Sequence, residues 1–409
     1  MNQILVKYSF VPFLILGLIP ILPFHLKPIG LIVALLFGLV SLFLTKRVLL
    51  SYLFFNNILL FLLYAISYLY SDDKLYSLKY LETSLPLVLF PLFFLFISKF
   101  DFNKNNWQKI EFIFYNTYVI SSVIYAILIF VYIFHLGYFS HKVTYDLSMS
   151  WISAYFWGFQ NHPIYISIFL GVAILILIKL VLESTKNRFW YVLVGIIILF
   201  ALLFLSRKAV VFALIPTSFF LFFKLNKNKK IRNVFIIINI LSVLVLVFVF
   251  PNSFNRFKKI GNIELNQPID MKNSTSIRIG IYNCVFTQVK DAGFFGYGIG
   301  DVKDKLNDCY KIRAKPLVGQ HLNTHSTYLN IWLSLGFVGL LLFIFFLARL
   351  LMLAIVNKNF LFFSLLLFYL IVFLFENVLD RQNGVLLFAF LINFYTFKHI
   401  IVLKRNNEK

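Results

Sequence analysis

The sequence predicts an all-α integral membrane protein of about twelve transmembrane helices, with a large outer loop that carries amphipathic helices. Three observations predict this class. Of the 409 residues, 61% are hydrophobic and 13% charged, whereas a soluble domain carries about 25% charged residues. Apolar runs long enough to cross a core about 30 Å thick, which takes some 20 helical residues, recur along the chain. One long polar segment, residues 251–325, interrupts them.

The first run, 4–23, is longer than a signal-peptide core and lacks a small-residue cleavage site, so it reads as a retained span. The others are 28–45, 52–70, 84–98, 111–134, 162–182, 189–205, 209–223, 233–250, 327–348, 359–375 and 384–403. Pro86 and Pro91 break the fourth, and the eighth is short. Only Ser206, Arg207 and Lys208 separate the seventh from the eighth. The expected organisation is residues 1–250 as helices 1–9, 251–325 as the outer loop, and 326–409 as helices 10–12 with an inner tail.

The net charge of +22 reports topology before it reports partners. With the N-terminus inside, the inner segments hold 20 of the 38 Lys and Arg, the short outer segments 7, and the long loop 11. The loop exceeds the length over which the rule operates, so the asymmetry of the short segments decides: both termini are expected inside and the loop outside. An odd number of spans would spoil the pattern. The cations are dispersed over short loops rather than gathered on one face, which argues against nucleic acid as a partner. No Walker or dinucleotide signature supports ATP-driven transport.

Inside the loop, residues 276–290 place Ile277, Ile281, Cys284 and Val285 on one helical face. Residues 301–313 place Val302, Leu306, Cys309 and Arg313 on another. The glycine-rich GFFGYGIG turn joins them. Cys284 and Cys309 face an oxidising compartment and can pair; each also lies on an apolar face, where a buried thiol is an equal reading. Asp301 and Asp304 share a helix with Lys303 and Lys305 and read as solvated face. There is no DxD pair and no HExxH, and no metal or other cofactor is expected.

Chemistry concentrates at the outer boundary. His325 stands where the loop meets the tenth span, beside the N-cap formers Asn323, Thr324 and Ser326, near the positive end of a helix dipole. An imidazole is the side chain that changes charge near neutral pH, which suits it to take a proton from a hydroxyl; packing or capping is its bland alternative. His321 reads as a loop residue. Arg207 and Lys208 sit on the side where cations are disfavoured. They are either a snorkelling interfacial turn or an anion site, for which the planar Arg fork suits phosphate oxygens. Arg278 opens the first loop helix, where a solvated charge is the simpler reading. Glu376, Asp380 and Arg381 form a charged outer turn: a local ion pair or a pocket lining. His162 precedes Pro163, a favoured first helical residue, and reads as mainly structural with a lesser claim to line the site.

Four stretches resemble the O-antigen ligase/O-antigen polymerase family of bacterial membrane glycosyltransferases. They are LSRKAVVFAL at 205–214, SIRIGIYNCVFTQVKDAGFFGYGIGDVKDKL at 276–306, HSTYLNIWLSLGFVGLL at 325–341 and FENVLDRQNGVLLFAF at 375–390. The resemblance implies a GT-C-like fold in the bacterial inner membrane, with the active face and the long loop periplasmic. It implies a glycan carried on undecaprenyl diphosphate as donor, and lipid A–core or another glycan as acceptor. Arg207, Lys208 and Arg278 would hold the diphosphate, and His325 would activate or orient the acceptor hydroxyl. Arg381, Glu376, His162 and His321 would line the pocket. Transfer would be inverting and metal-independent, since lipid diphosphate is already a good leaving group. Repeat-unit polymerisation and protein O-oligosaccharyl transfer share this donor and differ in acceptor. The family pattern commonly has Pro or Asn close before the histidine; here Thr324 precedes it. A polysaccharide transporter would instead place polar residues deep in several spans, whereas these spans read as plain Leu, Ile and Phe.

Overall fold

Every regular element among the described residues is helical. The computed structural model describes residues 7–45, 52–98, 104–138, 143–156, 161–205, 207–226, 269–271, 274–320 and 322–403, with a few shorter pieces between. In chain order the helices are α1 (Val11–Gly17), α2 (Lys27–Thr45), α3 (Tyr52–Tyr70), α4 (Lys74–Ser84), α5 (Pro86–Phe96) and α6 (Lys104–His135). They continue with α7 (Tyr145–Ala154), α8 (Pro163–Glu183), α9 (Arg188–Leu205), α10 (Lys208–Leu225), α11 (Ser274–Asp291) and α12 (Val302–Arg313). The last three are α13 (Thr327–Val356), α14 (Phe360–Phe375) and α15 (Gln382–Leu403).

Eight helical stretches among the described residues are long and apolar enough to cross a membrane, and α14 is a shorter apolar helix. The chain is a multi-pass membrane protein, and the described residues do not decide the full count of twelve. Among the described residues of the first expected span, helix covers residues 7–8 and α1, and turns follow from 18 onward. The fourth expected span starts ten residues early, because α4 and α5 run on as one apolar stretch, Lys74–Phe96. Asp73 caps α4 by accepting from Tyr76 N, and Pro86 occupies the first turn of α5, where a missing N–H costs nothing. Most of the ninth expected span, 233–250, and His321 lie outside the described residues.

Helix α15 is the axis of the bundle. Residues 385–397 are buried on every side, as expected of a helix apolar all round. Its aromatics interlock with neighbours: Phe390 and Phe394 against Phe13 and Phe114, Phe388 against Phe346 and Phe373. Apolar side chains on the rim are the opposite case. Phe43, Phe134 and Val356 are 74–76% exposed, surface that only lipid makes tolerable.

The spans are not purely apolar, contrary to the sequence reading. Lys27, counted above as a short-loop cation, is 1% exposed. Its Nζ donates to Asn161 Oδ1 at 2.8 Å and Asn383 Oδ1 at 2.9 Å, and lies over the Phe169 ring. Asn383 also donates to Asn161, and Asn161 to the Tyr125 hydroxyl. Deeper in the bundle Asn57 donates to Asn393 at 2.8 Å. These groups bond to one another, which makes them adhesive between helices, whereas a transport path would need them to face a permeant.

The polar segment folds onto this bundle. Helices α11 and α12 form where the periodicity predicts them. Ile281, Cys284, Val285, Val302, Leu306 and Cys309 are buried together, and Cys284 and Cys309 form a disulfide. Arg313, expected on the same face, is exposed. The glycine-rich turn inserts into a break in α13. Gly336 has φ 71° and ψ −171°, so the local α-helical bonds are lost there and the turn supplies replacements. Tyr297 N and Gly298 N donate to Leu333 O and Ser334 O; Phe337 N and Val338 N donate to Gly293 O and Phe294 O. Irregular backbone at such a depth is tolerated only when protein satisfies it. Asp301, expected on a solvated face, is 5% exposed and accepts from the backbone N–H of Asp72 and Asp73, each at 2.8 Å. It fastens the loop to the α3–α4 turn.

Gly336 cannot carry a side chain: its φ is left-handed, and a Cβ there would lie 2.2 Å from Phe294 O. Gly336→Ala should therefore lower stability by roughly 2–4 kcal/mol. Gly195→Ala, on a helix with no atom nearer than 3.8 Å to the new Cβ, should leave it unchanged or up to about 1 kcal/mol higher. Thermal unfolding of both variants in detergent checks the pair.

Candidate functional site

At the break-bearing end of α13 the chain enters the helix through Ser326, whose hydroxyl accepts from Leu329 N. The preceding residue, His325, has φ 49°, a left-handed conformation that is uncommon outside glycine and asparagine. Three contacts hold it there. Its N–H donates to Asn323 Oδ1 at 3.0 Å, its carbonyl accepts from the Tyr282 hydroxyl of α11 at 3.3 Å, and Thr324 Oγ1 bonds to the neighbouring Ser326 carbonyl. A strained backbone fixed on several sides marks a place where a side chain is being aimed.

It is aimed at Glu376, which terminates α14. Thr327 bridges this terminus to α13: its hydroxyl donates to Glu376 O and accepts from Val378 N. His325 Nδ1 lies 3.5 Å from Glu376 Oε2. That is within ion-pair reach and long for a directed hydrogen bond. The other carboxylate oxygen is paired with the Arg278 guanidinium of α11. Burial would push the Glu376 carboxyl up, but His325 and Arg278 outweigh it and hold it below the usual range. Asp380 is the contrast. Burial holds its carboxyl above the usual range despite Lys303, its bond from Asn323 at 3.2 Å, and Arg381.

These groups surround a cavity of about 70 Å³, lined among others by His162, Asn323, His325, Glu376, Asn377 and Arg381. Sequence reading therefore placed His325, Glu376, Arg381 and His162 at one locus of the fold. Arg278 joins them through Glu376 and is not the free solvated charge that its position suggested. His162 does two things: its Nδ1 accepts from Ile164 N at the start of α8, and its ring faces the cavity. Burial, reinforced by Arg207 and Arg381, lowers its pKa to about 4. Arg207 is the N-cap of α10, close enough to His162 to repel a proton from it. Lys208 opens α10 and is not among the residues lining the cavity.

Sequence reasoning passed over Asn323 as a hinge for His325, Tyr282 as its support, and Asn377 altogether. Asn377 is 4% exposed, and neither its Oδ1 nor its Nδ2 has a hydrogen-bond partner. A buried polar group left so costs about 1–3 kcal/mol. Nothing in a string of residues marks it beyond its place between Glu376 and an apolar turn. Among the described residues no cluster of His, Cys, Asp and Glu is arranged to hold a metal ion.

A larger cavity, about 660 Å³, lies at the far ends of the same helices, among Lys179, Glu183, Lys358, Lys398 and His399. The smaller one is the stronger site despite its size. It gathers a strained histidine, a doubly paired carboxylate and an unbonded amide, whereas Lys179 and Lys398 at the far end are already paired with Glu183 and Glu111.

Residues 192–344, from within α9 to the middle of α13, match the family model described as O-Antigen ligase. The match supports the resemblance read from the sequence. It contains Arg207, Lys208, Arg278 and His325 and stops short of Glu376. No curated protein matches the chain.

The His162 environment gives a pH dependence with a defined sign. Its folded pKa, about 4, lies below the ordinary 6.5, so the unfolded chain binds the proton first as pH falls. Folding stability is lost on acidification from about 6.5 to about 4 and levels off below. His162→Asn, whose side-chain oxygen can replace Nδ1 as the capping acceptor, should remove this part of the loss. Thermal midpoints of both proteins across that range check it; parallel curves would show that His162 is not held neutral by the fold.

Proposed function

We propose that the chain is a glycosyltransferase of the O-antigen ligase type. It would move a glycan from undecaprenyl diphosphate to a hydroxyl of lipid A–core at the periplasmic face of the inner membrane. The observation that carries this reading is the Arg278–Glu376–His325 assembly, in which one largely buried carboxylate joins a fixed cation to an imidazole at the cavity wall.

The chemistry follows from that assembly. With Nδ1–H of His325 turned to Glu376, Nε2 is left to accept a proton, the orientation a carboxylate imposes on a catalytic imidazole. The acceptor hydroxyl gives its proton to Nε2 as its oxygen bonds to the anomeric carbon. The bond from that carbon to the diphosphate oxygen breaks, and its electron pair leaves with the lipid diphosphate. Arg278, through N–H groups not engaged with Glu376, and Arg207 meet the charge that develops there. Attack opposite the leaving group inverts the anomeric centre. Fixing the imidazole by backbone strain and by Asn323 supplies the orientation such a displacement needs. Lys208 stands at the edge of this cation group and would add a point charge for the diphosphate. His321, four residues before His325, would belong to the loop beside the acceptor.

Two measurements test the reading. In a transfer assay with purified protein and glycan on undecaprenyl diphosphate, His325→Ala should slow transfer by roughly 10²–10⁴-fold. Arg278→Ala and Arg207→Ala should each slow it by about 10²-fold or more. Near-normal rates in all three, with normal folding, would overturn the assignment. The acceptor is tested by the glycans of a deletion strain. Long chains stranded on the carrier are expected of a lost ligase, and single repeats transferred to core would mark a polymerase instead.

A further inference from the structure

We propose that Asn377 is a sugar-contact residue, holding a hydroxyl pair of the glycan at the point of transfer rather than the diphosphate; this rests on the reading of the cavity as a glycan-transfer site. Four of the asparagines at this end of the bundle can be compared. Asn323 serves His325 N and Asp380. Asn161 and Asn383 are knotted to Lys27. Asn377 alone of the four has both side-chain polar atoms unbonded, although it is buried and lines the cavity.

Its backbone is anchored on both sides. Glu376 N donates to Val372 O and Val378 N to Thr327 Oγ1, so the amide is held in place by its neighbours rather than by bonds of its own. A side chain kept polar, buried and unbonded between fixed neighbours is the signature of a group reserved for a ligand, at some expense to stability.

The chemistry of the amide selects the ligand. A carboxamide presents an acceptor oxygen and two donor hydrogens side by side. Diphosphate oxygens only accept, which leaves half of such a group unserved, and the guanidinium groups of Arg278 and Arg207 are the better match for them. A sugar hydroxyl both donates and accepts, and two on adjacent ring carbons offer the complementary pair. The cavity is small, about 70 Å³, so the part of the glycan within reach of Asn377 is the hydroxyl edge of one sugar.

The test compares binding of two ligands to the full chain in lipid nanodiscs: undecaprenyl diphosphate carrying the glycan, and undecaprenyl diphosphate alone. Asn377→Leu, similar in shape and without polar atoms, should weaken the glycan-bearing ligand by roughly 10- to 100-fold, as for loss of two hydrogen bonds that leave buried partners unmet. It should leave the sugar-free ligand within about twofold and the thermal midpoint unchanged or higher. Asn377→Ser, which retains one donor–acceptor group, should fall between and serves if the leucine variant does not fold. Equal affinity of wild type and both variants for the glycan-bearing ligand would overturn the inference, as would parallel weakening of both ligands with a lowered midpoint. Wild type that discriminates the two ligands through Asn377 yet transfers nothing would overturn the proposed reaction and leave the sugar contact standing.

Discussion

One largely buried carboxylate organises the end of the bundle that holds the candidate site. Glu376 ends α14, yet its side chain is claimed from two other elements, by Arg278 on the loop helix α11 and by His325 at the head of α13. A carboxylate out of water is tolerable only when its oxygens are met, and here each oxygen faces a different cation or potential cation. Because the demand is electrostatic and geometric at once, it fixes three segments against one another. Without α11 in place, Glu376 loses one of the two partners that offset its burial. The loop over the bundle is thus a wall of the site.

The loop is held by backbone as well as by charge. The glycine-rich turn and the break at Gly336 complete each other's hydrogen bonds, and Asp301 pins the far side of the loop to the α3–α4 turn. The disulfide between α11 and α12 closes the unit internally. Rigid attachment of this kind is what a site built between a loop and a membrane helix requires, since misplacement of a reacting group by about 1 Å can cost about a hundredfold in rate.

Much of this was legible in the residues. Composition and run length give the membrane class, and the loop helices follow from the spacing of Ile281, Cys284, Val302 and Leu306. The boundary position of His325 and its N-capping neighbours point to the candidate site. What the residues did not disclose is pairing through space. Arg278 looks solvated until Glu376, 98 positions away, is brought to it. Lys27 looks like an outer-loop cation until Asn383, 356 positions away, closes over it. Asp301 was misjudged for a related reason: its neighbours Lys303 and Lys305 suggest solvent, but its ligands are backbone N–H groups, which carry no sequence signature. The start of the fourth span was set too late because proline does not interrupt there: Pro86 begins a helix that runs on from the one before it.

The burial of α15 has a consequence for how the molecule is made. Residues 382–403 follow in the chain every helix they pack against, so the ribosome delivers the axis of the bundle after its surroundings. Lys27 and Asn383 are made 356 residues apart, an interval on the order of 20–70 s at about 5–20 residues per second. For that time Lys27 and Asn57 are without Asn383 and Asn393. The earlier helices must wait around an unfilled centre, loosely enough for α15 to enter and for their polar groups to stay hydrated or chaperoned. The contacts that centre the bundle on α15 can therefore form only after every other helix they involve has been made.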